Sequence, residues 1–113
     1  MAASANRSSG KSAIRYLSCQ VTPGMFRGEF LVFLKGYRLE DPENQIQIQM
    51  LVDEKEVKVT KGEPKRNQPA EGWVKVTLAS EKDGMSRIIL PQAAQPVGEG
   101  MLVRAADLKM EPR

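Results

Sequence analysis

In residues 45–52, "QIQIQMLV", apolar and polar side chains alternate, with Ile46, Ile48, Met50 and Val52 on one side and Gln45, Gln47 and Gln49 on the other. Successive side chains of a strand point to opposite faces, so this pattern predicts a half-buried strand with its even positions inward. The same period recurs from Ala13 onward. Segment 14–21, "IRYLSCQV", puts Leu17, Cys19 and Val21 together, and 73–80, "WVKVTLAS", does the same for Val74, Val76 and Leu78. Shorter strands are predicted around Val57 and Val59, over 85–91 and over 101–108. Stretch 25–36, "MFRGEFLVFLKG", reads as a strand whose even positions, Phe26, Gly28, Phe30, Val32 and Leu34, face the core. Its odd positions begin charged and turn apolar at Leu31 and Phe33, which therefore need a cover of their own. A bend at Gly28 between two sheet layers would supply one. A partner surface is the alternative.

Turn chemistry separates these segments. Thr22-Pro23-Gly24, the cluster "EDPEN" at 40–44 and the hairpin "EKDG" at 81–84 punctuate the chain, Gly84 being free to take a positive φ. Residues 61–72 and 92–100 read as polar, Pro- and Gly-containing loops. The inward phase shifts from even to odd positions between Val52 and Val57, so 53–56 must be a hairpin connection or a bulge. About seven short strands with little or no helix predict an all-β chain, a single small antiparallel barrel or sandwich. A hairpin, a Pro/Gly loop and a closing strand at the end of such a chain resemble the architecture of SH3-like small barrels, the favoured form. That resemblance lies in architecture alone and assigns no function.

With 113 residues the chain is expected to form one domain, spanning 13–110, between a disordered head at 1–12 and a short tail at 111–113. Charge adds little. There are 17 basic and 14 acidic residues, but Arg7, Lys11 and Arg113 against Glu111 lie at the ends, so the folded part is almost neutral. A general phosphate-binding surface is not indicated. The lone cysteine, Cys19, rules out an internal disulfide and fits a small buried hydrophobe. The five-residue run Phe30–Leu34 is far short of the roughly 20 residues of a membrane-spanning helix, and no apolar signal segment is visible. No membrane association and a cytoplasmic location are expected.

The chain contains no histidine. The usual general base near neutral pH and the commonest metal ligand are thus missing, and Ser-His-Asp, Cys-His and Cys/His zinc arrangements are excluded. Glu40, Asp41 and Glu43 lack calcium-loop spacing and fit a solvated turn. Neither "PGMFRG" nor "RSSGKS" carries the glycine spacing of a phosphate-binding loop. No enzyme activity, catalytic residue, cofactor or metal is expected.

What remains is binding. Leu31, Phe33 and Leu51, with the amide row Gln45, Gln47 and Gln49, form a candidate protein interface. The predicted function is a non-catalytic protein-interaction or scaffold module, with self-association into a homodimer as one form. The alternative is a small-barrel binder of RNA or single-stranded DNA, using the basic loop residues Lys61, Lys65 and Arg66 with Trp73 and Lys75 as a platform.

Overall fold

The computed structural model describes residues 13–94 and 96–110. The head predicted at 1–12 and the tail at 111–113 lie outside the described residues. Among the described residues eight strands occur: β1 (Ile14–Pro23), β2 (Glu29–Arg38), β3 (Asp41–Asp53), β4 (Val57–Lys61), β5 (Ala70–Lys82), β6 (Met85–Ala94), β7 (Gly98–Arg104) and β8 (Leu108–Lys109). Two single-turn 3-10 segments, Glu54–Glu56 and Ala105–Asp107, interrupt them, and there is no α-helix among the described residues. The predicted all-β small barrel is what forms.

Five strands close a ring in the order β1-β2-β7-β6-β5, with every pairing antiparallel. The remaining strands hang on it: β3 on β2, β4 on β5 and β8 on β1. Closure depends on β2. Val32 sits between Val21 of β1 and Met50 of β3, whereas Tyr37 sits between Leu102 of β7 and Gln45 of β3. One edge of β2 therefore serves β1 first and β7 later.

Gly36 makes the change of partner feasible. A Cβ there would stand 2.6 Å from the Met101 sulfur and 2.9 Å from the Leu102 carbonyl oxygen. The bend expected at Gly28 is not a strand bend, and the glycine of close approach within β2 is Gly36. Gly28, at φ +85°, belongs to the turn before β2. Its left-handed backbone ends the extended run, which is why Phe26 is 72% exposed instead of facing the core as the alternation predicts. From Phe30 onward the even positions do point inward: Val32 and Leu34 are buried and Phe30 packs against the core.

The interior is filled by branched aliphatic side chains, including Val21, Val32, Val74, Val76, Ile88 and Val103, with Met101. Each fully buried side chain of this kind contributes about 1.5–3 kcal/mol. Ile48, Met50 and Val52 of β3 extend the same core. The phase change at 53–56 is neither a hairpin nor a bulge, because β4 pairs with β5 and not with β3. Asp53 instead caps the 3-10 turn, accepting a bond from the Lys55 amide at 2.9 Å. The predicted strand at 101–108 is also divided: β7 ends at Arg104, and Lys109 of β8 pairs with Tyr16 of β1. Hence eight strands and not seven. Asp83 and Gly84, at φ 54° and 80°, form the two-residue hairpin between β5 and β6, which demands positive φ at both positions.

Candidate functional site

The chain's candidate chemistry lies on the outer side of the sheet, where register decides which side chains meet. Across β1, β2 and β3 two rows form: Gln20–Phe33–Gln49 and Thr22–Leu31–Leu51. Leu31 and Phe33 are half-buried and Leu51 is 38% exposed. Together with Pro23, Gly24 and Met25 and with Arg66 and Pro69 of the β4–β5 loop, they line an open apolar groove of about 500 Å³. Among the described residues, Arg66 is the only charged side chain on its wall.

The rim of the groove is built by the β1–β2 turn. The Gly24 amide donates to the Glu29 carbonyl oxygen at 2.9 Å, and Glu29 Oε1 accepts from the Met25 and Phe26 amides at 3.1 and 3.3 Å. A second anchor joins the Glu54 amide to the Gly28 carbonyl oxygen at 2.9 Å. So braced, the turn holds Met25 and Phe26 outward, 76% and 72% exposed. Two large apolar side chains standing in water side by side on a hydrogen-bonded turn form an exposed apolar patch.

Of the predicted protein interface, Leu31, Phe33 and Leu51 come together, and Gln49 flanks Phe33. Gln45 and Gln47 are exposed but lie further along β3, with Gln47 opposite Lys35 beside a separate polar cleft. Strand β3 is hydrogen-bonded to a neighbouring strand only through β2, so its other edge is unpaired among the described residues. Residues 44–52 of that strand hold no charge, proline or glycine. Sequence reasoning missed Pro23, Met25 and Pro69, and put Arg66 in the nucleic-acid set instead of the groove. Met25 and Phe26 would have been found had Gly28 been taken as a turn glycine.

The predicted nucleic-acid set is divided by the fold. Arg66 joins the apolar groove, and Lys65 is tied into a bridge with Gln68, with reciprocal backbone bonds of 3.2 Å. Lys61 lies opposite Glu71. Trp73 and Lys75 stay together on the outer face of β5, both half-buried. Across them run two further rows, Lys58–Trp73–Ser18 and Lys75–Tyr16–Lys109. The Lys109 ammonium lies 4.7 Å from the centre of the Trp73 ring, and that of Lys58 lies 5.4 Å from the Tyr16 ring. Lys58 and Lys109 could not be placed there from sequence, because they arrive on appended strands whose partners no local pattern names.

Cys19 is buried, and burial pushes its thiol up to about 12, so it is unreactive near neutral pH. Among the described residues no group of three His, Cys, Asp or Glu side chains could hold a metal ion, and no helix is long and apolar enough to cross a membrane. Compared with known proteins, the chain matches no family model, and no curated protein or solved structure matches it.

Proposed function

We propose that this protein is a non-catalytic interaction module that docks an extended segment of a protein partner against β3 and the groove beside it. The observation that carries this reading is the groove of Leu31, Phe33 and Leu51, open to solvent and rimmed by the braced Met25. An unpaired strand edge offers main-chain bonds to an added strand, and an adjacent pocket selects its side chains. The groove asks for an apolar side chain, and Arg66 favours a carboxylate next to it. A second copy of this chain can supply the strand, which would make the module a homodimer. With its one thiol buried and no disulfide needed, we assign it to the cytoplasm.

Peptides selected from a displayed random library on the intact protein test this. Apolar peptides carrying an acidic residue are expected, with affinity falling at least tenfold, about 1.4 kcal/mol, in Phe33→Asp and in Leu51→Asp. Both positions are already partly in water, so the fold should survive, as circular dichroism would verify. Equal affinity of the selected peptides for wild type and both variants would remove the groove from the function. Light scattering separates the two sources of the strand: a doubled mass identifies a second copy, a monomeric mass a different protein.

A further inference from the structure

The ring-and-lysine face adjoins the groove along β1 and shares none of its lining side chains. Strand β1 carries Tyr16 at one site and Thr22 at the other, six residues or about 20 Å along an extended strand. Their nearest rows are closer: Ser18, opposite Trp73, and Gln20, opposite Phe33, lie two residues or about 7 Å apart on the same face of β1.

On this face the register sets Trp73 and Tyr16 on a diagonal across β5 and β1, since Tyr16 opposes Lys75, two positions from Trp73. Diagonal neighbours lie roughly 7–8 Å apart, within reach of aromatic side chains. Three lysines, from β4, β5 and β8, surround the pair. The nearby acids are Glu71, opposite Lys61; Glu56, which shares a shallow cleft with Lys75; and Asp107, two residues before Lys109. The excess of positive charge is therefore modest and centred on the rings. A ligand for this surface must carry exposed π faces and negative charge at regular intervals.

We propose that the outer face of β4, β5, β1 and β8 binds single-stranded nucleic acid, with Trp73 and Tyr16 stacking on bases and Lys58, Lys75 and Lys109 contacting phosphates. A duplex hides its base faces and an acidic peptide has none, so the rings single out the unpaired strand. In the free protein Lys109 and Lys58 occupy the ring faces. An exposed ammonium–ring contact is weaker than a base stacked on the same ring, so the base displaces the lysine. The released ammonium is then placed beside the incoming phosphate. Ring and lysine thus exchange partners together, and two or three phosphates are engaged.

The test is anisotropy of a labelled oligothymidylate of about 12 nucleotides, within the site size of small barrels, titrated with the intact protein at about 50 mM salt. Trp73 is the chain's only tryptophan, so its emission reports the same event directly. Binding is expected to quench Trp73, and log affinity should fall against log salt with a slope of about −1.4 to −2, as two or three phosphates require. Lys58→Glu with Lys109→Glu should weaken binding more than tenfold, and Tyr16→Ser should weaken it about tenfold. The lysine pair is exposed and does not threaten the fold. No anisotropy change at low salt, binding indifferent to the lysine pair, or equal competition by polyglutamate or by duplex DNA would each overturn the proposal. Phe33→Asp should leave oligothymidylate binding unchanged, so failure here is distinguishable from failure of the groove.

Discussion

The groove and the ring-and-lysine face share strand β1 but are held in opposite ways. In the groove, apolar side chains sit on paired strands, and its rim is clamped by backbone bonds to one carboxylate. Its shape exists before any partner arrives. On the other face the backbone supplies only register, and the contacts that matter are made by long lysine side chains resting on rings. Such contacts are worth about 0.5–1 kcal/mol when exposed, little more than the thermal energy. A preformed pocket suits a ligand chosen by shape, and a set of loosely held cations suits a ligand chosen by charge and stacking.

Four perturbations would sharpen this contrast. The largest effect is expected at Gly72, where a Cβ would lie 2.7 Å from the Lys58 carbonyl oxygen and 3.1 Å from Val21. Backbone cannot yield as a side-chain tip does, so Gly72→Val should cost about 3 kcal/mol in urea unfolding. It should also displace β4, detaching Lys58 from Tyr16 while leaving peptide binding in the groove intact. Loss of both functions at equal rates would show that the two sites are not independent.

Next comes Cys19, buried beneath β1 between the sites. Its folded-state value of about 12 stands above the ordinary 9.0, so the thiol form is favoured by folding. The stability it contributes is fully present below pH 9 and is lost as pH rises toward 12, by about 1.4 kcal/mol per unit. Urea midpoints of wild type should therefore fall more steeply above pH 9 than those of Cys19→Val. Parallel curves would mean that the thiol is hydrated, and the inner face of β1 with it.

The smallest effects separate the two modes of support. Glu29→Ala removes the acceptor for two turn amides and should cost about 1 kcal/mol, as loss of a comparable cap does, and weaken peptide binding. Lys109→Ala should cost no more than about 0.5–1 kcal/mol and leave the groove untouched. A larger stability loss for Lys109→Ala than for Glu29→Ala would reverse the assignment of which site is preformed.

Much of the barrel was legible because alternation is a local property. Ile48, Met50, Val74 and Val76 fall on the inward side in both the pattern and the fold. Phe26 does not: parity alone cannot detect that a glycine at positive φ ends the strand before the alternation does. The outward placement of Leu31, Phe33 and Leu51 followed from parity, but their meeting in one groove needed the register of β1 on β2 and of β2 on β3. Arg66 shows the same limit from the other side. Its sequence neighbourhood is basic, yet its loop folds over an apolar groove.

By itself, then, the order of apolar and polar residues determined that the chain forms strands, which side of most of them is buried, and that histidine-based chemistry is absent. Which outward side chains become neighbours was decided only by strand pairing, within the closed ring and on the strands appended to it. Residues 58, 73, 16 and 109 meet because β4, β5, β1 and β8 pair edge to edge. Those pairings minimise exposed backbone and apolar surface over the whole barrel, a condition that no local stretch of the chain can express.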